Sequence, residues 1–213
     1  MNDSRSKDAH NGVQEKSSDD LVVDLSLLFA RAMRANPNTC FSNVIDMMVH
    51  YLPEAFSAAG KLVEGWYVVD LEDEVVINEH GWYALPDGQI LDPTVVILVP
   101  PDRSVYYFSG VERTYQEVNM ILQQKEAWFP YVRCVGTYGE DGLGHPDYAA
   151  AYEAARKKAL ALAHASTPPK HMTFLTAQDL EGPQEAMELQ VHLFLVSPTR
   201  SEEEQSGEVQ SDS

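Results

Sequence analysis

The stretch NEHGWYALPDGQILDPT (residues 78–94) predicts a β-hairpin that carries His80 on its outgoing strand and Asp92 on its return strand. The Pro-Asp-Gly sequence at 86–88 is a strong turn former. A three-residue loop there places Trp82 opposite Asp92, so that His80 and Asp92 become diagonal neighbours on one face, with Cβ atoms about 6–8 Å apart. A two-residue turn would send the two side chains to opposite faces. The predicted contact therefore depends on the longer loop.

Upstream of this hairpin, Cys40 lies near the N-terminus of a predicted helix that runs through VIDMMVHYL and ends before Pro53. A free cysteine is mostly protonated at neutral pH, and a helix N-terminus or an adjacent imidazole favours its thiolate form. In a catalytic set of this kind Cys40 is the nucleophile, His80 the general base and Asp92 the group that orients the imidazole. Backbone N–H groups at the helix start, including that of Cys40, suit an oxyanion site.

These residues resemble the core of transglutaminase-like proteins and of the arylamine N-acetyltransferases, which are papain-like thiol enzymes that use Cys, His and Asp in that order. His80 stands in H-G-W, similar to the H-A-W of the transglutaminase-like group, and Asp92 stands in the matching D-P-T. The resemblance covers residues 39–94 and implies a papain-like core. Thr39 replaces the tryptophan that often precedes the nucleophile, and Gly81 replaces the usual alanine.

Four residues are candidates for substrate binding. Asn43, one turn past the cysteine, either orients a substrate carbonyl or is a helix-surface amide. Glu64 reaches the pocket if its strand borders the hairpin. Trp66 and Trp82 are pocket walls, although half-buried sheet packing explains them equally well.

Metal binding is the main chemical alternative, with Glu79, His80 and Asp92 as available ligands and His50 and His145 as distant candidates. The chain has no H-E-x-x-H motif and no two-histidine helical pair. The acidic run at 72–74 lacks the glycine and spacing of an EF-hand loop, which favours a solvated turn. We expect neither a metal nor a cofactor.

The remaining pattern predicts an α+β fold, with N-terminal helices packed on an antiparallel sheet, followed by further helices and a C-terminal strand. A helix begins near residue 19 or 20, three strands span 61–99, and a fourth follows at 104–112. One helix is predicted from Thr114, which forms a capping box with Glu117, another is predicted with Asp147 as its cap, and a last strand is predicted over 186–197. We expect polar, disordered tails at 1–19 and 198–213 and one domain over 20–197, with the thiol-enzyme core at 38–100.

The composition excludes some partners. Of the 213 residues, 33 are Asp or Glu and 15 are Lys or Arg, so the net charge of −18 repels nucleic acid and anionic membrane surfaces. No segment predicts a membrane span or a signal peptide. Cys40 and Cys134, the only cysteines, are too few for a disulfide framework, and Cys134 is interpreted as structural. A reduced, cytoplasmic compartment fits this usage.

Two functions follow as expectations. The first is a thiol hydrolase (peptidase or amidase) or acyltransferase that acts on an amide or acyl group of a small molecule or peptide through a thioester. The second is a catalytically inactive binding or regulatory protein on the same fold, whose acidic surface binds a basic protein partner. The sequence leaves hydrolysis and acyl transfer, and the oligomeric state, open.

Overall fold

The computed structural model describes residues 13–124 and 145–175, which form a mixed α+β fold with a curled sheet. In chain order the elements are β1 (Glu15–Ser17), a 3₁₀ turn (Ser18–Asp20), α1 (Val23–Met33), α2 (Cys40–Asp46) continued by a π-helical segment (Met47–Tyr51), α3 (Glu54–Ala59), β2 (Lys61–Asp70), β3 (Glu74–Ala84), β4 (Ile90–Leu91), α4 (Val95–Leu98), β5 (Val105–Thr114), α5 (Tyr115–Gln124), α6 (Pro146–Ala165) and β6 (His171–Leu175).

The sheet has the strand order β1-β5-β2-β3-β4, with antiparallel neighbours, and β6 adds to β3 in parallel. Two strands therefore share the outer edge of β3: β6 pairs with residues 74–78, and β4 pairs with residues 83–84. Among the described residues, 79–82 have no strand partner on that edge. Phe41, in the first turn of α2, lies against Gly81 in this gap. The helix that carries Cys40 thus meets the sheet beside His80.

The hairpin has the predicted three-residue loop. Tyr83 pairs with Leu91, and the Leu85 N–H donates to the Gln89 carbonyl at 2.8 Å. Gly88 has φ of 90°, a left-handed conformation that disfavours any side chain. This register places residue 82 opposite residue 92, so the prediction that His80 and Asp92 share a face is confirmed.

The third predicted strand is much shorter than the sequence pattern indicated. Pairing stops at β4, and the apolar run that follows Asp92 forms the short helix α4. The proline after Asp92 has no N–H for the sheet. The Asp92 carboxylate then accepts hydrogen bonds from the N–H groups of Thr94 and Val95, which starts a helical turn in place of a strand.

The sheet is buried on both sides. Helix α6 covers one face with a row of buried alanines that pack on Trp66, Phe108 and neighbouring side chains: Ala151, Ala155, Ala159 and Ala163. The other face bears Tyr67, Trp82 and Tyr107 and packs against α4. Because side chains alternate along a strand, His80 lies on this second face with Trp82.

The ordered chain begins earlier than the sequence predicted. The structure places β1, paired with β5, inside the segment expected to be a tail, and a capping box between Ser17 and Asp20 ends it. Helix α1 starts at Val23. Asp147 lies in the first turn of α6 but is not its cap, which is His145.

The predicted capping box at Thr114 and Glu117 is confirmed, since each side chain bonds the backbone N–H of the other residue. Cys134, the predicted strand at 186–197 and the tails at 1–12 and 198–213 lie outside the described residues. No helix in the described ranges is long and apolar enough to cross a membrane.

Candidate active site

His80 and Asp92 form a buried pair at the centre of the candidate site. His80 projects from β3, Asp92 follows β4, and Nε2 of the imidazole lies 2.7 Å from Oδ2 of the carboxylate. Both side chains have at most 1% of their surface exposed. A hydrogen bond to an ionised group in such surroundings is strong, since no water competes for either partner.

Both oxygens of the Asp92 carboxylate accept hydrogen bonds. Oδ1 accepts the two N–H groups that begin α4, while Oδ2 accepts from His80 and from the hydroxyl of Tyr107 at 3.1 Å. The Asp92 N–H donates to Ser26 Oγ at 3.0 Å, which ties the residue to α1. The carboxylate is therefore held in one orientation, and with it the imidazole.

Cys40 is the first residue of α2 and is 4% exposed. The next residue, Phe41, packs against Gly81 beside His80, and the thiol and the imidazole interact electrostatically. The other ring nitrogen, Nδ1, is buried and has no hydrogen-bond partner besides the Cys40 thiol among the described residues. The imidazole thus has one nitrogen bound to the carboxylate and one nitrogen left for the thiol.

The electrostatic balance at His80 favours the imidazolium. Burial alone would lower the pKa of His80, but the negative charges of Asp92 and Cys40 and the hydrogen bonds to both side chains outweigh it and raise the pKa from 6.5 to about 10. At neutral pH the ring carries protons on both nitrogens. One proton is donated to Asp92, and the proton on Nδ1 is available to a group bound near Cys40.

Aromatic rings hold the imidazole plane in place. The Tyr67 ring meets the His80 ring edge-on with centroids 4.6 Å apart, and the Trp82 indole stacks at 6.4 Å with an interplanar angle of 20°. Trp82 also packs against Tyr107 at 5.2 Å. Because Trp82 is fully buried, its position in this structure is that of a support for His80 rather than an open pocket wall.

Asn43 is neither a surface amide nor, in this structure, a group open to substrate. It is 6% exposed. Its Nδ2 donates to the Asn36 carbonyl at 2.6 Å and to Thr94 Oγ1 at 2.9 Å, while its Oδ1 accepts from the Asn36 N–H. The amide therefore fastens the loop before α2 and links the cysteine helix to the D-P-T segment.

Glu64 and Trp66 lie on the sheet face opposite His80, which corrects the prediction that they line its side of the pocket. Val63 is the residue that pairs with Trp82, so the even-numbered positions of β2 point the other way. Glu64 forms an ion pair with Arg113 at 3.5 Å, and Trp66 packs against α6. The register of β2 with β3 determines the face on which these two side chains lie, and the sequence alone does not predict that register.

A second buried polar group lies on that opposite face. The Tyr148 hydroxyl donates to Glu79, and both side chains are fully buried. Burial raises the pKa of Tyr148, and the charges of Glu79, Glu64 and Cys40 add to the shift.

Sequence reasoning missed Tyr67, Tyr107 and Tyr148. All three stand in apolar-aromatic patterns that are typical of core strands and helices. The pairing of β2 with β3 and β5 brings Tyr67 and Tyr107 to the His80 face, whereas the packing of α6 brings Tyr148 to Glu79 on the opposite face. Within the described ranges no three His, Cys, Asp or Glu side chains group as a metal-ligand set.

Comparison of the chain with protein-family models, with curated proteins and with solved structures finds no match. The functional interpretation therefore depends on the geometry of these side chains and on the local sequence resemblance.

Proposed function

We propose that the protein is a thiol-dependent hydrolase or acyltransferase that acts on an amide or acyl group through Cys40, His80 and Asp92. The observation that carries the proposal is the arrangement of the His80 ring, whose Nε2 is bound to Asp92 while Cys40 is the one group that engages the rest of the ring by charge and hydrogen bond among the described residues. This is the arrangement that a thiolate nucleophile and its general acid require.

The steps follow from the two ring nitrogens. The Cys40 sulfur attacks the carbonyl carbon and forms a C–S bond, while the π electron pair of the carbonyl moves to oxygen. As the tetrahedral intermediate collapses, the leaving group takes the proton from His80 Nδ1, and a thioester results. Water or an amine then loses a proton to His80 as it attacks the thioester, and the sulfur departs as thiolate.

Asp92 keeps its charge throughout this cycle. Its hydrogen bond to Nε2 holds Nδ1 toward the sulfur in both protonation states of the ring. Tyr107 and Ser26 fix the carboxylate in turn. Hydrolysis and acyl transfer use the same groups and differ only in which nucleophile resolves the thioester.

We also propose that residues 39–94 form a transglutaminase-like core. The order of the three residues, the H-G-W and D-P-T contexts and the location of Cys40 at a helix start support this proposal. We carry forward neither Asn43, Glu64, Trp66 nor Trp82 as substrate contacts, because the structure engages each of them with other protein groups.

The pH profile of iodoacetamide labelling at Cys40, followed by peptide mass spectrometry, tests the proposal. We expect fast labelling at pH 6 that is lost in His80→Ala. His50→Ala is the matched control, since it removes an exposed histidine from the π-helical segment that follows α2. Cys134 serves as the internal reference thiol.

Slow labelling of Cys40, with the profile of an ordinary thiol and no response to His80→Ala, would refute the triad. The alternative would then be a binding protein of the same fold, whose acidic surface takes a basic partner. Circular dichroism of each variant separates loss of labelling from loss of fold.

A further inference from the structure

Tyr67 carries a buried hydroxyl on the sheet face that holds His80. It projects from β2 onto the same face as His80, its ring is 4.6 Å from the imidazole, and it is 1% exposed. Across the strand pair it lies directly opposite Asn78. The Asn78 Nδ2 donates a hydrogen bond to Tyr67 Oη at 3.0 Å.

The hydrogen-bond inventory of this hydroxyl is incomplete. A phenol both accepts and donates. Tyr67 accepts from Asn78, but within residues 13–124 and 145–175 its own proton finds no acceptor, and the Oδ1 of Asn78 is also buried without a partner. Tyr107, its neighbour across β2 and β5, instead donates to Asp92. Buried donors are nearly always satisfied, so this one points to an acceptor that arrives with a ligand.

The electrostatics keep the Tyr67 proton in place. Burial raises the pKa of Tyr67 well above its ordinary value, the hydrogen bond from Asn78 opposes this, and the charges of Cys40 and Asp92 raise it further. The phenol is therefore neutral at any physiological pH and remains a donor. Tyr67 contacts the His80 ring, and Phe41, next to Cys40 in the chain, packs against Gly81, next to His80.

We propose that Tyr67 donates a hydrogen bond to the carbonyl oxygen of the acyl group under attack at Cys40, and so stabilises the negative charge that develops there. This inference rests on the proposed thiol chemistry. The hydrogen bond that Asn78 donates to Oη polarises the phenol and strengthens it as a donor. No proton is transferred: the electron pair that moves to the carbonyl oxygen returns when the leaving group departs, and Tyr67 is unchanged.

Two reagents separate this role from the activation of the thiol. Alkylation by iodoacetamide is a displacement at a saturated carbon and creates no oxyanion, whereas acylation by p-nitrophenyl acetate passes through a tetrahedral oxyanion. Both rates are measured at Cys40 by peptide mass spectrometry. In Tyr67→Phe we expect an unchanged alkylation rate and an acylation rate lower by about 10²–10³-fold, the loss typical of one oxyanion donor.

Tyr107→Phe is the matched control, since it removes a hydroxyl that is equally buried but bound to Asp92. Because it acts through His80, it should lower alkylation and acylation by the same factor. The inference is overturned if Tyr67→Phe is acylated as fast as the wild type. It is also overturned if the alkylation rate and the acylation rate fall together, as a structural defect would cause.

The wild type supplies a further check. Its ratio of acylation to alkylation should exceed that of glutathione under the same conditions. A ratio equal to that of glutathione overturns the oxyanion role while His80-dependent alkylation still supports the triad. If alkylation itself is that of an ordinary thiol, the proposed function fails and the inference fails with it.

Discussion

Replacement of Asp92 by asparagine tests the electrostatic core of the proposal with little change in shape. The Oδ1 of the asparagine can still accept the two N–H groups that start α4. What changes is the atom 2.7 Å from His80 Nε2, where a charged acceptor becomes a neutral N–H₂ donor. The imidazole must then accept through Nε2, which places its single proton on Nδ1 and makes that nitrogen useless as a base.

The magnitude follows from the lost interaction. A hydrogen bond to a charged group contributes about 1.5–3 kcal/mol, and one pKa unit corresponds to about 1.4 kcal/mol. The pKa of His80, about 10 in the wild type, should therefore fall by at least 1–2 units. Burial, which lowers this pKa, is then opposed by Cys40 alone and moves the value further in the same direction.

The assay is a pH titration of ¹⁵N-histidine-labelled protein by NMR, because the two ring-nitrogen shifts report the protonation state and the tautomer directly. His80 is assigned by its loss in His80→Gln. Asp46→Asn is the matched control, since Asp46 lies 3.9 Å from the exposed His50 and its removal should leave His80 unchanged. A neutral His80 ring in the wild type at pH 8, or an equal titration midpoint in Asp92→Asn, would refute the reasoning.

Three further predictions concern stability and labelling. The free energy of unfolding should fall by about 1.4 kcal/mol per pH unit between about pH 8.5 and 10, because the imidazole and the thiol of the unfolded chain have both lost their protons there while folded His80 retains its own, and chemical denaturation of His80→Gln should lack this slope. Thr94→Val should cost about 1–3 kcal/mol and slow labelling, since it leaves one N–H of the buried Asn43 amide without an acceptor, whereas Thr94→Ser should behave as wild type. Gly81→Ala should cost about 1–3 kcal/mol in the same denaturation assay, because its Cβ would lie 2.8 Å from Phe41; no loss would show that α2 is not held against β3.

The sequence predicted the parts of the site that local rules control. Turn chemistry at 86–88 determined the hairpin register, and the register determined that His80 and Asp92 meet. The capping box at Thr114 was equally local. In each of these cases a short segment satisfies its own backbone groups, so neighbouring residues carry enough information to predict the structure.

The failures arise where tertiary contacts override local pattern. The run that begins at Val95 has the composition of a strand, yet the Asp92 carboxylate turns it into a helix. Glu64 and Trp66 alternate correctly along β2, but whether they share the face of His80 depends on the register of β2 with β3. The position of Tyr107 beside Tyr67 depends on the pairing of β2 with β5, and more than thirty residues of chain separate these two strands.

The helix that carries Cys40 and the D-P-T segment that carries Asp92 are joined by a hydrogen bond. Asn43 donates to Thr94 across 51 residues, so the helix that carries Cys40 is bonded directly to the D-P-T segment that carries Asp92. The aspartate caps α4 with one oxygen and holds His80 with the other. Because the same carboxylate and the same amide determine both the fold and the alignment of the candidate catalytic groups, a substitution that loosens either contact should disturb stability and thiol reactivity together. A role confined to packing would change stability alone.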